Sequence, residues 1–301
     1  MPIESSTSHR YGTVAIVGRP NVGKSTLLNA LLGTRLSIVT PKPQTTRHRI
    51  LGVVTRPGAQ VAFLDTPGLH EGGKRALNRQ LNRVARQVPE EADLLVHVVD
   101  GIRRHAEDEA VRRLIATQSA PCILAVNKVD RLPDKSVLLA FAQSMMQEHA
   151  YAAVHFIAAR RGDGVQALLD DVVRHLPEGP AQFGEDEYTD RSERFLVAEF
   201  VREQLMRQLG EELPYATAVE IERYVDEPTI TRIGAVIWVE RDGQKSIVIG
   251  AGGAQLKKIG SAARRAMEQM LGRRVFLELW VRVRESWSDD QAALRQFGYS
   301  E

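Results

Sequence analysis

Short apolar runs alternate with amphipathic stretches through the first half of the chain. Residues 13–17, 61–64, 94–99, 122–126 and 154–157 read as strands. Helical patterns separate most of them, and residues 164–176 read as a closing helix. Strands that alternate with helices predict a largely parallel sheet covered on both faces. Residues 177–190 break this rhythm. They are rich in Pro, Gly and acid, with Glu185, Asp186 and Glu187 in a row, and they predict an interdomain linker over 178–190.

Beyond the linker the pattern changes. Residues 191–209 have helical periodicity, while 217–225 and 233–239 alternate with period two, as half-buried strands do. Leu256, Ile259, Ala263, Met267 and Met270 mark one face of a helix. Val275, Leu277, Leu279, Val281 and Val283 mark one face of a further strand. The expected organisation is an α/β domain over residues 1–177 followed by an α+β domain over 191–301, both of ordinary domain size.

Composition narrows this only slightly. The 301 residues are 43% hydrophobic and 26% charged, and the net charge of +2 is too small to identify an anionic partner. A single cysteine, Cys122, excludes an intramolecular disulfide. It follows Pro121 and opens an apolar run, which suits a buried core thiol better than a nucleophile. Residues 1–11 are polar and lack the apolar stretch of a signal peptide. No run reaches the roughly 18–20 apolar residues that span a bilayer. The expectation is a cytoplasmic protein, with weak peripheral contact on the cytoplasmic face of an inner membrane left open.

The first chemistry lies between the first predicted strand and helix. Gly18-Arg19-Pro20-Asn21-Val22-Gly23-Lys24-Ser25, followed by Thr26, is a GxxxxGKS loop. Its glycines let backbone N–H groups close around phosphates, Lys24 reaches the β- and γ-phosphates, and Ser25 binds Mg²⁺. Asp65-Thr66-Pro67-Gly68 follows a second strand. There a carboxylate holds a Mg²⁺-bound water, and the Gly68 N–H meets the γ-phosphate. Asn127-Lys128-Val129-Asp130 ends a fourth strand. Asp130 is placed to accept from guanine N1–H and its 2-amino group, an edge adenine lacks. Taken singly, DTPG and NKVD read as turns. Together, at strand ends behind a phosphate loop, they point to GTP over ATP and disfavour an ATP-dependent kinase.

On these motifs, with Gln44-Thr45-Thr46-Arg47-His48-Arg49 and the run DTPGLH, the sequence resembles the Era family of bacterial GTPases over nearly its whole length. The resemblance implies a GTPase of small (30S) ribosomal subunit assembly. It also implies that a threonine of the Thr45–Thr46 pair binds Mg²⁺ and senses the γ-phosphate, with Thr46 favoured and Thr45 the alternative. Asn21 matches the asparagine through which relatives hold K⁺ against the phosphates. Two positions depart from pattern. Leu69 stands where many GTPases place a water-orienting glutamine, so slow intrinsic hydrolysis is expected. Ala158-Ala159-Arg160 replaces the usual Ser-Ala-Lys/Glu, leaving the Ala159 N–H as the candidate donor to guanine O6.

A second signature follows. Residues 248–260, with Gly250-Ala251-Gly252-Gly253 and then Lys257 and Lys258, resemble the VIGxxGxxIKxI segment of KH domains. In those modules a GxxG loop approaches the nucleic-acid backbone, and the adjoining groove holds about four nucleotides. Here Ala251 and Gly252 stand where relatives often carry Lys or Asn, which shifts the phosphate contacts toward Lys257, Lys258, Arg264 and Arg265. The order helix, strand, strand, GxxG, helix, strand matches the type II KH arrangement. For Era relatives the implied ligand is 16S ribosomal RNA near its 3′ end. DNA is not expected, and a monomer is. Trp287, Phe297 and Tyr299 read either as base-stacking groups or as caps on the core. Two other readings compete: an RNA chaperone stabilised by GTP, and a tRNA-modification GTPase, although the C-terminal Cys motif of the latter is missing.

Overall fold

The computed structural model describes residues 9–68, 75–101, 105–210 and 212–299. Leu69 therefore lies outside the described residues, as do residues 1–8 of the polar N-terminal stretch. Backbone contacts divide the chain into two units. One comprises Met1–Ser37, Thr46–Gly72 and Leu81–Asp190; the other comprises Ile38–Thr45, Gly73–Gln80 and Arg191–Glu301.

The first unit is built on six strands: β1 (Arg10–Val17), β2 (Ile50–Arg56), β3 (Ala59–Asp65), β4 (Leu94–Asp100), β5 (Cys122–Asn127) and β6 (Ala153–Phe156), in the order β2-β3-β1-β4-β5-β6. All neighbours run parallel except β2 and β3, which form an antiparallel hairpin. The pattern of 61–64 predicts β3, but β2 was not expected. Its run Ile-Leu-Gly-Val-Val-Thr-Arg precedes Pro57-Gly58, a turn signal that marks the hairpin.

Near-continuous apolar strands are what a sheet covered on both faces requires. On one face Ala15, Val17, Leu95, Val99, Leu124 and Val126 pack against Val111 and Ile115 of α3 (Ala106–Ala116), and against Leu138 and Met145 of α4 (Val137–Glu148). On the other, α1 (Lys24–Leu32) crosses β2 so closely that a Cβ on Gly52 would meet Leu32 at 2.8 Å and Leu28 at 2.9 Å. Helix α2 (Ala76–Gln87) lies between β3 and β4 in the chain, and helix α5 (Val165–His175) packs beside α1. The expected linker is fastened to this unit. Tyr188 O accepts from the Val53 N–H at 2.9 Å, Thr189 Oγ1 donates to Leu51 O at 2.7 Å, and the Gln60 amide ties down Gln182 and Phe183.

The second unit has a three-stranded sheet of β7 (Ala218–Asp226), β8 (Ile230–Val239) and β9 (Arg274–Val283), antiparallel then parallel. Helices α6 (Glu193–Gln208), α7 (Asp242–Ile249) and α8 (Ala254–Leu271) supply the rest of its core. Val197, Val201 and Leu205 meet Ile233, Ala235 and Ile237, and Ile259, Ala263 and Met267 form the predicted apolar stripe of α8. Helix α7 was not expected; it is a short helix of eight residues with one buried side chain, Val248. The resulting order, α-β-β-α-α-β around a GxxG turn, is the type II KH arrangement.

Trp287, Phe297 and Tyr299 are buried; Trp287 stacks on Tyr299 and meets Phe297 edge-on, and the Trp287 indole N–H donates to Ala216 O at 3.1 Å. They cap the core and are not base-stacking groups. The chain segments Ile38–Thr45 and Gly73–Gln80 belong to this unit through specific contacts. Arg207 donates to Val39 O at 2.9 Å, Lys42 Nζ donates to Leu209 O, and the Ala76 N–H donates to Asp289 Oδ1 at 2.8 Å. Arg75 lies 3.8 Å from Glu240.

Candidate functional sites

The parallel strands of the first unit bring their carboxyl ends to one edge, where open α/β sheets bind ligands. The phosphate loop leaves β1 there, Asp65 ends β3, Asp100 ends β4, Asn127 ends β5 and Ala158 follows β6. The loop has no room for side chains at its glycines. A Cβ on Gly18 would lie 2.5 Å from Val98 O, one on Gly23 2.3 Å from Asn127 Nδ2, and one on Gly68 2.7 Å from Pro20 N. Gly23 also takes φ 107° as the N-cap of α1, with no side-chain cap. The first amides of α1 are thus left for an anion.

Lys24 is buried, and its Nζ donates to Gly18 O at 2.8 Å and Arg19 O at 3.0 Å. Burial lowers its pKa to about 8, with Asp65 opposing that shift and Arg19 adding to it. Ser25 Oγ and Thr46 Oγ1 are 2.8 Å apart, so the structure brings Thr46 to the loop. Thr45 is engaged elsewhere, with Thr40 Oγ1 at 2.6 Å and Lys42 O at 2.7 Å. Asp65 is buried; Ser37 Oγ donates to its Oδ2 at 2.9 Å, and its Oδ1 has no hydrogen-bond partner among the described residues. Burial pushes its carboxyl pKa up, against the pull of Lys24 and the two serines. Two adjacent hydroxyls and a desolvated carboxylate oxygen without a partner suit a hard divalent cation such as Mg²⁺.

The base-recognition loop is braced from several sides. Asn127 Nδ2 donates to Val22 O at 2.8 Å, and its Oδ1 accepts the Lys128 N–H at 2.8 Å and the Ala159 N–H at 3.0 Å. The Ala159 N–H, expected to face guanine O6, is therefore committed to Asn127; the Ala158 N–H donates to Asp163 O. Both lie just past the end of β6, where that strand delivers them beside Asn127. Asp130 is paired with Arg161 at 3.4 Å, a residue the motif does not flag.

Asp100 was also missed. It accepts from Lys128 Nζ at 2.7 Å, and the same Nζ donates to Asn21 O at 2.6 Å. Arg19 turns its guanidinium to Asp108 at 3.1 Å and Asp100 at 3.8 Å, so its backbone serves the phosphate loop while its side chain braces it. The signal for Asp100 is one acid ending a strand that is apolar apart from His97. Asn21 is exposed with φ 63°; Pro20 accepts from Arg19, and Thr26 is half-buried on α1.

The GxxG turn of the second unit is open where the phosphate loop is crowded. Gly252 and Gly253 have φ of 57° and 81°, and a Cβ on either would meet nothing within 4 Å. Gly250 packs on Gln255, and Ala251 is exposed. Gly253 is the N-cap of α8 and again has no side-chain cap. Lys257, Lys258, Arg264 and Arg265 are all exposed, in two rows seven residues apart on one side of α8. Arg264 pairs with Glu268 at 2.7 Å; Lys257, Lys258 and Arg265 have no ion-pair partner among the described residues.

Comparison with known proteins bears on both sites. Residues 13–128 match the model of the 50S ribosome-binding GTPase family, and residues 212–288 match a KH domain model. The chain is 57% identical to GTPase Era of Xanthomonas oryzae pv. oryzae (strain MAFF 311018), covering 98% of this chain and 99% of the relative. It is 56% identical to GTPase Era of Stenotrophomonas maltophilia (strain K279a), covering 99% and 100%.

The chain belongs to the Era family of GTPases.

Among solved structures, Era in complex with MgGDPNP and nucleotides 1506–1542 of 16S ribosomal RNA superposes with a TM-score of 0.94 at 40% identity, covering 97% of this chain and 100% of that one. An Aquifex aeolicus Era variant bound to GDP·AlF4⁻ gives the same TM-score at 39% identity and the same coverage. Membership of the Era family makes this a P-loop GTP hydrolase with a KH domain and sets aside the tRNA-modification GTPase. No helix among the described residues is long and apolar enough to cross a membrane.

Proposed function

We propose that this Era-family GTPase binds 16S ribosomal RNA near its 3′ end and acts as a GTP-driven switch in assembly of the small ribosomal subunit. The observation that carries this reading is the GxxG turn: bare backbone at the start of a helix, open to solvent and flanked by Lys257, Lys258 and Arg265, which have no ion-pair partner among the described residues. A phosphodiester backbone is what such a surface accommodates. A relative of the same architecture holds that RNA together with MgGDPNP.

In the proposed cycle the loop 18–26 wraps the phosphates, Lys24 offsets their charge, and Asp130 reads the guanine edge between Lys128 and the Ala158–Ala159 turn. Ser25, Thr46 and Asp65 are the residues that would hold Mg²⁺, which would supply positive charge to offset that of the phosphates. Gly68 brings its N–H to the γ-phosphate. With Leu69 in place of a glutamine, Asn21 is the residue that would hold K⁺, whose charge would stand in for an arginine finger.

The functional division is a GTPase domain over 1–177, a connector over 178–190 and an RNA-binding domain over 191–301. On this reading the protein works as a cytoplasmic monomer and DNA is not its ligand, with weak peripheral contact at the inner membrane left open. Crosslinking in cells, followed by sequencing of the bound RNA, tests this. Reads should pile up near the 3′ end of 16S rRNA; reads dominated by tRNA or spread evenly over all RNA would refute it. Turnover stimulated by that RNA separates the switch from a chaperone that GTP merely stabilises.

A further inference from the structure

The KH sheet has a second face. Register pairs Arg232 with Phe276, Gly234 with Glu278, Val236 with Trp280 and Trp238 with Arg282. These positions alternate with the core residues Ile233, Ala235, Ile237, Val275 and Val281, so they face away from α6, α7 and α8. The solvated face of such a sheet is ordinarily polar. Here Phe276 and Trp280 are 42% and 41% exposed. The Trp280 ring lies against the bare backbone of Gly234, where a Cβ would come within 3.0 Å of it.

The cations around these rings are all arginine, interleaved with carboxylates. The cations of this face are Arg223, Arg232, Arg274 and Arg282, with no lysine. Arg232 sits over the Phe276 ring at 5.3 Å and Arg282 over the Trp238 ring at 5.9 Å. Glu227 and Glu222 hold these two guanidiniums in place, and Glu220 accepts from the Trp238 indole. Arg223 and Arg274 have no side-chain partner among the described residues. Neither does Glu278, which lies between the two exposed aromatics.

Sheets that present exposed aromatics and guanidinium planes stack unpaired bases. The geometry points to this outer face as a second RNA contact, in which Trp280 and Phe276 stack bases of a single-stranded segment while Arg223 and Arg274 take its phosphates. This rests on the reading of the chain as an rRNA binder. A KH groove clasps about four nucleotides, and the stretch 1506–1542 held by the related Era is many times longer. The pattern favours RNA over a protein partner. Phe276 and Trp280 stand about 13 Å apart along the strand with a carboxylate between them, which suits two separate bases and interrupts a continuous apolar patch. Glu278 keeps phosphates off the middle of the face, and the free arginines lie to its sides.

The test uses the full-length protein and two probes at one fixed salt concentration: RNA of the stretch 1506–1542, and a fragment of about four to six nucleotides that fills only the GxxG groove. Trp280→Ala should weaken the long RNA about 5- to 100-fold and leave the short fragment and GTP binding unchanged. Trp280→Phe should restore most of the loss. Arg223→Ala should reduce the salt slope by about 0.7, and Glu278→Gln should tighten the long RNA. Equal affinity of wild type and Trp280→Ala for the long RNA overturns the proposal and leaves the face to a protein. Equal damage by Phe and Ala, or loss on the short fragment as well, marks a structural role and overturns it too. If the wild type binds neither RNA, the rRNA reading itself fails.

Discussion

The chain uses one local device twice. Both the phosphate loop and the GxxG turn end on a glycine N-cap in the left-handed region, Gly23 before α1 and Gly253 before α8. Neither has a side-chain cap or an acid in its first turn. Each thereby offers a helix N-terminus to an anion. Their surroundings set them apart. The first is enclosed: Cβ atoms at Gly18, Gly23 and Gly68 would strike backbone or Asn127, and Lys24, Asn127 and Lys128 are all hydrogen-bonded in place. The second is open, and Lys257, Lys258 and Arg265 beside it have no ion-pair partner among the described residues. An enclosed site binds one phosphate chain of fixed shape. An open one tolerates a continuing polymer and draws its affinity from charge, so its binding is salt-dependent.

The sharpest way to break this comparison is to damage each loop separately. Gly250→Asp with Gly253→Asp should abolish RNA binding through lost backbone approach and like-charge repulsion, with GTP binding intact. Gly23→Ala should abolish nucleotide binding, because its Cβ would sit 2.3 Å from Asn127 Nδ2, and should spare RNA binding by the GDP-free protein. Filter binding with each ligand checks both; either variant damaging both activities would show that the loops are not separate sites.

Asp130→Asn should follow in size. Losing charge-assisted hydrogen bonds to guanine costs GTP affinity about 100-fold, and xanthosine triphosphate should now compete better, since it offers the complementary edge. An unchanged GTP preference in competition binding would remove Asp130 from base recognition.

A third prediction asks whether the two sites communicate. The segments Ile38–Thr45 and Gly73–Gln80, which carry or border the γ-phosphate motifs, are packed in the second unit by Arg207, Lys42, Asp289 and Glu240. RNA affinity measured with a non-hydrolysable GTP analogue and with GDP should differ about 5- to 150-fold, and RNA must shift nucleotide affinity by the same factor. Arg207→Ala should shrink the difference. Identical affinities in the two states would leave two independent modules.

Smaller effects sharpen the picture of the enclosed site. If Asn21 holds K⁺, turnover should be severalfold faster in KCl than in NaCl at equal ionic strength, and Asn21→Ala should erase the difference; equal wild-type rates would end that role. The pH dependence concerns Lys24. Its folded pKa of about 8 lies below the ordinary 10.5, so the unfolded chain binds more protons between those values. Over that window this group makes the empty protein more stable as pH rises. Phosphate favours the ammonium form, so nucleotide affinity should fall above pH 8, by at most about tenfold per pH unit. A flat affinity from pH 7 to 9.5, by titration with a fluorescent GDP, would contradict it.

Much of the molecule is legible in the residues themselves. The loop 18–26, DTPG, NKVD and the GxxG segment are contiguous, and they act through backbone amides and a side chain or two on a local turn. Their chemistry therefore follows from neighbours in the chain. The predicted strands and the α8 stripe are legible for the same reason, since a period of 2 or 3.6 is local. Strand β2 and helix α7 escaped because one is an antiparallel strand in an otherwise parallel pattern and the other is a short helix with one buried side chain.

The remaining assignments depend on partners distant in sequence. Thr46 rather than Thr45 meets Ser25 because the chain between them folds back onto α1. The Ala159 N–H turns to Asn127, Arg19 to Asp108, and Asp100 joins Lys128, each across tens of residues. Aromatics show the division most plainly. By sequence, Trp287, Phe297 and Tyr299 are as eligible for solvent as Trp280 and Phe276, yet the first three close the core and the last two stand on an open sheet face. An indole carries the same hydrophobic drive wherever it stands in the chain. Whether it is spent inside the fold or left for a ligand depends on which surfaces the tertiary structure brings against it.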